Sequence, residues 1–398
     1  MFQNYFGRSW VCGFVLVLST SLLCGCSRTS QSSPKSSSSP KLGKHAPFRF
    51  VVVADSRGDY KKKPPTYATW LSLYKITTRI LALHPKPRLV IFNGDMVAKT
   101  AYCNEIQAIS FWKDIFLKPL QKNGIKVYIT PGNHIVDRKC SPIIGYIDLF
   151  NAYYGSANPQ NGPRKYRGVS FSFTVGDVHF ATVTPFTTHR GWDNKNEIRP
   201  QHYAQQGKGW EYYVNKANRV WLHQDLRQSK AMYKIFFTHV PLYPIGPHHR
   251  DRKGLHAHPK TRDELAKILI NSDVDAVIVA HEHKYCRAMI SHNNPKDSHL
   301  KKGFLQVVVG TAGAPLKKEA GVQVKRTVTT HTVSKKRTTV TEVTTTSKPS
   351  HSQAKGKARC AVQSDAPHYL VADVEKDKIQ FRVFTANNER IDEFSIRP

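Results

Sequence analysis

Five apolar runs in this chain break off into the same kind of polar segment, and that pattern constrains its fold more than any other feature. In order, the segments are Asp55-Ser56-Arg57, Asn93-Gly94-Asp95, Gly132-Asn133-His134, Thr238-His239 and His281-Glu282-His283. The runs that carry them, Phe48–Asp55, Leu89–Asp95, Lys126–His134, Lys234–Pro241 and Asp275–His283, are rich in Val, Ile and Phe and read as buried strands. Thr66–Leu83, Glu105–Leu120 and Trp210–Ser229 read as helices between them. A further helix, running to Ile270, is opened by the capping-box pattern Thr261-Arg262-Asp263-Glu264. Ser170–Val175 and Val178–Thr184 predict a hairpin around Gly176-Asp177. Tyr369–Ile396 predicts strands closing a sheet, with a turn near Lys376-Asp377 and polar residues near Asn387–Arg390. Strand and helix thus alternate before a β-rich end, an α/β pattern in which ligands bind at the carboxyl ends of strands. The polar segments are therefore expected to converge.

Their chemistry suits a two-metal hydrolytic centre. One carboxylate bridges two cations while imidazoles and an amide oxygen complete the shells. Ions about 3.5–4 Å apart then stabilise both the attacking and the leaving oxygen of an in-line displacement. Glycine beside Asp95 and Asn133 lets the backbone pass close to the ions. A lone His at a strand end is ordinarily a hydrogen-bonded structural residue. Five polar strand ends in a fixed order are not explained that way.

In the order D-x-x, G-D, G-N-H, H and x-H-x-H, the chain resembles the calcineurin-like metallophosphoesterase superfamily from about Phe48 to His283. The resemblance implies a four-layer αββα sandwich of two mixed β-sheets with a dinuclear site at one edge, holding divalent or mixed-valence Fe, Mn or Zn. It implies that Asp55, Asp95 and His283 ligate the first metal. It implies too that Asp95 bridges, that Asn133, His239 and His281 ligate the second, and that His134 contacts the phosphate and helps to protonate the leaving alkoxide. The run from His239 to His248-His249 is similar to purple acid phosphatases, which implies that His248 and His249 face the substrate phosphate. The other reading of these two is a solvated His/Arg cluster with Arg250, Arg252, His256 and His258.

Four positions depart from the pattern. Arg57 stands where the broad family has His and purple acid phosphatases have Gly. A guanidinium has no lone pair for a cation, so Arg57 either forks onto phosphate oxygens or weakens the first metal site. Ala98 takes the place of an iron-binding Tyr, so no purple charge-transfer colour is expected. Ile135 stands where an acidic residue is usual, and Ala280 where Gly is usual.

The ends of the chain point to export. Arg8 precedes the apolar run Trp10–Leu23, which fits a signal h-region of roughly 7–15 residues and falls short of the about 20 residues of a membrane span. Leu23-Cys24-Gly25-Cys26 resembles a lipobox. Residues 1–25 are thus expected to be a lipoprotein-type signal and Cys26 the lipidated N-terminus at a bacterial cell envelope; an ordinary cleaved signal or weak anchor is the alternative. Residues 26–46, rich in Ser, Pro and Lys, follow as a tether to a domain over 47–398. Outside the signal, Cys103, Cys140, Cys286 and Cys360 permit two disulfides in an oxidising compartment, with three connectivities. Because Cys103 and Cys140 each follow a metal-type motif closely, their pairing is preferred, leaving Cys286–Cys360. That second bridge staples an insertion over 317–359, which holds eleven Lys/Arg, two Glu and ten Thr. The insertion is a solvated loop or a polybasic arm for anionic lipid or polymer.

The chain's formal charge of +32 over 398 residues argues against an ordinary near-neutral cytosolic enzyme and for an anionic partner, with no motif for specific nucleic-acid recognition. The leading expectation is a membrane-tethered phosphomonoesterase of acid phosphatase type, in which a metal-bound hydroxide attacks phosphorus. The alternatives are a phosphodiesterase or nucleotidase of the same fold, and a non-catalytic surface lipoprotein with a degraded metal site that binds acidic polymers.

Overall fold

Strand β1 (Phe48–Val53) is buried along its whole length because it lies inside a sheet covered on both faces. Phe50 and Val52 enter one apolar cluster, and Val51 and Val53 point the other way into a second. The computed structural model describes residues 46–58, 70–98, 105–136, 146–154, 157–187, 212–245, 254–290, 303–315 and 360–398. The expected signal and most of the tether, the insertion over 317–359, the Cys103–Cys140 pairing and His248-His249 lie outside the described residues.

The remaining strands are β2 (Leu89–Phe92), β3 (Lys126–Ile129), β4 (Phe171–Val175), β5 (Val178–Thr182), β6 (Tyr233–Phe237), β7 (Ala276–Val279), β8 (Tyr285–Ile290), β9 (Phe304–Val309), β10 (Val362–Ser364), β11 (His368–Val374), β12 (Ile379–Thr385) and β13 (Arg390–Ile396). They form two mixed sheets, ordered β13-β12-β11-β1-β2-β3 and β10-β8-β9-β7-β6-β5-β4. Alternate side chains of the two sheets meet face to face. Phe50 sits edge-on against Phe180 at 5.1 Å and against Phe381 at 6.2 Å. Helix Trp70–Leu81 and the segment Glu105–Lys122 cover the outer face of the first sheet, where the Trp112 ring meets Phe92 at 5.0 Å. Helices Lys216–Gln228 and Pro259–Asn271 cover the outer face of the second through Leu222, Leu226, Leu265 and Leu269. The α/β reading thus holds as a four-layer αββα sandwich. Among the described residues no helix is long and apolar enough to cross a membrane.

Parallel pairing sets the functional edge. β1, β2 and β3 run parallel, with Val53 beside Phe92 and Phe92 beside Ile129, so the segments that follow them emerge together. In the second sheet β6 and β7 are parallel, with Phe237 beside Ile278. Three local expectations are corrected. The Thr261–Glu264 box does not open its helix, which begins at Pro259, a residue suited to a first helical position because it has no N–H to satisfy. The helix expected from Trp210 begins only at Lys216, where the Asn215 side chain accepts from the Asn218 N–H at 3.0 Å; Tyr213 is bridged to Phe186 instead. The helix expected over Glu105–Leu120 passes through a π-helical turn, Lys113–Leu117.

The Cys286–Cys360 disulfide is present, with a Cα–Cα distance of 5.5 Å. It joins β8 to the segment that pairs as β10, where Gln363 lies beside Cys286.

At the head of β11, His368 is fully buried. Its Nδ1–H donates to the Ala366 carbonyl at 2.7 Å, and its Nε2 has no hydrogen-bond partner among the described residues. Burial pushes its pKa down to about 4, against the pull of that carbonyl. The folded state therefore binds fewer protons than the unfolded chain. The stabilisation is complete above the ordinary histidine value of about 6.5 and is lost as pH falls from there toward 4. Urea unfolding at pH 7, 6 and 5 is expected to show a slope in wild type that exceeds that of His368→Gln by up to about 1.4 kcal/mol per pH unit. Equal slopes would refute this assignment.

Candidate metal centre

Asp55, at the end of β1, has φ of 54° and Asp95, after β2, has φ of 53°. These left-handed turns aim both carboxylates across the sandwich edge. The two loops are laced together by Asp55 N–H to Gly94 O at 3.0 Å and Ser56 N–H to Asp95 O at 3.1 Å. Glycines permit the close approach. A Cβ on Gly94, whose φ is +91°, would lie 2.3 Å from His239 Nδ1, and one on Gly132 would lie 2.1 Å from Asp95 Oδ1.

Asp95 Oδ1 accepts from the His134 N–H at 2.9 Å, at the start of the short helix Asn133–Val136. Its Oδ2 has no hydrogen-bond partner among the described residues, although it faces His239 Nε2 at 3.6 Å, His134 Nε2 at 3.8 Å and Arg57 Nε at 3.8 Å. Asp55 Oδ2 accepts from the His281 N–H at 3.0 Å, while its Oδ1, also unpartnered, faces His283 Nε2 at 3.6 Å. Asn133 Oδ1 lies 2.9 Å from His281 Nδ1 and 3.3 Å from His239 Nε2.

Two imidazoles are oriented from behind. His239 Nδ1–H donates to the Asn93 carbonyl at 2.8 Å and His283 Nδ1–H to the Pro315 carbonyl at 2.8 Å. That fixes the tautomer and turns each Nε2 toward the carboxylates, as in established histidine metal ligands. Neither the Asn93 nor the Pro315 carbonyl is marked for this role by its residue type. Asn93 also holds the sheets together here, donating to Thr238 O at 2.9 Å and accepting from Thr130 Oγ1 at 2.9 Å. An Asn just before Gly-Asp was the only available signal; nothing marks a proline carbonyl.

The electrostatics follow from burial. It pushes the Asp55 carboxyl up to about 7, only partly offset by His239. Burial also opposes ionisation of Asp95, but His134 and His239 hold that carboxyl well below the ordinary range. For His239, burial is outweighed by the Asp95 and Asp55 charges, raising it to about 9.

The side chains form two buried triads that share one residue, Asp95–His239–His281 and Asp55–Asp95–His283. Two orphaned buried carboxylate oxygens, oriented imidazoles and an amide oxygen are the donor set of a pair of transition-metal ions, so the residues fit such a centre. The six side chains expected from sequence as ligands lie together, and Asp95 belongs to both triads. The profile of the calcineurin-like phosphoesterases matches residues 48–285. The chain belongs to that family.

Solved structures agree with the architecture. A purple acid phosphatase from yellow lupin seeds superposes with TM-score 0.55 at 16% identity over 90% of this chain and 55% of its own, so this chain spans about half that protein's length. PhoD superposes with TM-score 0.53 at 10% identity, over 89% and 73% of the two chains. A dimetal phosphatase from Danio rerio gives TM-score 0.51 at 12% identity, over 88% and 98%. At these identities the likeness is one of fold. No curated protein matches the chain in sequence.

The family departures acquire physical reasons. Ile135 packs against the helix-covered clusters on both sides of the sandwich, an apolar use of the position. Ala98 is buried and offers no donor. Ala280 is wholly buried and lies against Gly310, where an added Cβ would already be 3.2 Å from the Ala280 carbonyl carbon.

Proposed function

We propose that the protein is an exported, membrane-tethered phosphomonoesterase with a dinuclear metal centre. The observation that carries the dinuclear hydrolytic part of this reading is the pair of buried triads sharing Asp95. When bound, a metal pair supplies Lewis acidity and a nucleophile active at neutral pH. The chain's own residues do the rest. Asp55, Asp95, Asn133, His239, His281 and His283 would hold the ions. His134, with its ring one-tenth exposed beside Asp95, is placed to give a proton to the leaving oxygen. Arg57, also largely covered, presents a permanent cation for phosphate oxygens. His248 and His249, which follow His239 in sequence and lie outside the described residues, are assigned to the substrate phosphate on the sequence resemblance alone.

The Cys286–Cys360 bridge supports an oxidising compartment, and with it the reading of residues 1–25 as a signal and Cys26 as the lipid attachment. The basic segment 317–359 suits contact with anionic lipid headgroups next to that anchor. The test is hydrolysis by the full chain, reconstituted separately with manganese, zinc and iron, of a chromogenic phosphomonoester and the matching diester. Metal-dependent turnover is expected, with the monoester at least about tenfold faster in kcat/KM, a margin of about 1.4 kcal/mol. Diester preference would replace the monoesterase reading, and no turnover by folded, metal-loaded protein would overturn the enzymatic one.

A further inference from the structure

The two imidazoles of the Asp95–His239–His281 triad are half of a closed circuit of four aromatic rings. The His239 and His281 ring centroids lie 5.2 Å apart at an interplanar angle of 74°. Tyr212 stands edge-on to His281 at 5.6 Å and 90°, and Phe186 stands edge-on to Tyr212 at 5.3 Å and 85°. Phe186 closes the circuit on His239 at 6.2 Å, tilted by 45°. All four side chains are buried. Edge-to-face contacts favour particular angles, so each ring restricts the tilt of its neighbour.

The two carbon rings are fixed by backbone that does not belong to the centre. Phe186 bridges Tyr213 in parallel, the Tyr213 N–H donating to the Pro185 carbonyl at 2.7 Å and the Thr187 N–H to the Tyr213 carbonyl at 3.2 Å. Thr187 Oγ1 accepts from the Asn215 N–H at 3.0 Å, and Asn215 caps the helix Lys216–Gln228. The imidazoles need such support. The hydrogen bond from His239 Nδ1 to the Asn93 carbonyl fixes a tautomer but leaves the ring free to tilt about it. His281 Nδ1 meets Asn133 Oδ1, itself a candidate ligand, so a group outside the donor set must help to hold that ring.

We propose that Phe186 and Tyr212 are positioning residues for the ion of the Asp95–His239–His281 triad. They act through the two imidazoles, whose tilt they hold ready for a cation, and it is the ring of Tyr212 rather than its hydroxyl that does so. This rests on the dinuclear reading above, and its readout is metal binding rather than turnover.

The full chain, stripped with a chelator, is titrated with Co2+ while bound metal is counted and visible absorption is recorded. Wild type is expected to take up two ions. Tyr212→Leu, which keeps an apolar body without the ring, should weaken one of them at least tenfold and change its absorption band, leaving the other as in wild type. Tyr212→Phe should bind and absorb as wild type does. Phe304→Leu is the control for loosened packing. Its ring belongs to the same apolar cluster and meets Tyr243 at 6.0 Å, and its loss should lower the thermal midpoint without moving Co2+ affinity. Unchanged affinity and spectrum in folded Tyr212→Leu overturn the proposal, as does equal weakening of both ions. Equal weakening in Phe304→Leu, or a Tyr212→Phe variant as weak as Tyr212→Leu, overturns it too. If Tyr212→Leu does not fold by circular dichroism, Phe186→Leu is read in the same way. Two ions in wild type with no effect of the substitutions remove only the positioning role. No bound Co2+ in wild type removes the metal centre, and this inference with it.

Discussion

Asp95→Asn is expected to lower kcat for ester hydrolysis by on the order of 10³ or more, about 4 kcal/mol of transition-state stabilisation, while leaving the protein folded. Asp95 belongs to both triads, so the amide removes a negative charge from each metal position at once. The substitution is close to isosteric, and its carbonyl oxygen can keep the 2.9 Å bond from the His134 N–H that seats the Gly132-Asn133-His134 segment. Thermal unfolding should therefore stay cooperative, and the stripped variant should be no less stable than stripped wild type. Metal analysis should show both ions weakened. Hydrolysis within tenfold of wild type, in a variant confirmed by mass, would show that the reaction does not run through this centre.

Gly94→Ala is the second large effect, and it separates space from backbone strain. At φ of +91° an alanine is strained, and its Cβ would stand 2.3 Å from His239 Nδ1 and 2.8 Å from His239 Cγ. Either the imidazole leaves the Asn93 carbonyl or the Asp95 loop moves. Strain and overpacking together predict a loss of about 3 kcal/mol in urea unfolding, with ester hydrolysis abolished alongside. Gly124 provides the control. Its φ is +73°, yet nothing lies within 4 Å of an added Cβ. Gly124→Ala should cost about 1 kcal/mol and leave hydrolysis intact. Similar losses of stability and activity in both variants would mean that contact with His239 is unimportant.

What could be read from the chain, and what could not, divides along the range of the interactions. Strand ends were legible because apolar runs such as Phe48–Val53 stop abruptly at Asp, Asn or His, and parallel pairing then brings those stops to one edge. The clustering of the six residues expected as ligands follows from that rule and the resemblance. Helix starts were less legible. Thr261 and Glu264 satisfy a capping pattern locally, but Pro259 and the packing of Leu265 and Leu269 begin the helix earlier. β8 was missed because it carries Arg287 at a fully buried position, which reads as a break in an apolar strand. Its partner is Asp392, accepting from Arg287 Nε at 2.7 Å and from Tyr285 Oη at 2.5 Å, more than a hundred residues away. No local pattern announces a charge whose compensation arrives from the last strand. The Asn93 and Pro315 carbonyls were hidden for a related reason, since backbone acceptors leave no trace in residue type.

The donors are also sorted by sheet. Asp55, Asp95 and Asn133 follow strands of the first sheet, and His239, His281 and His283 follow strands of the second. Neither sheet alone offers a complete coordination shell, so the centre is a clasp whose halves are assembled only when the sandwich closes. Cation affinity is thereby tied to the gap between the layers. Any wedge that pries that edge open acts on the clasp before it disturbs the aromatic packing deeper in.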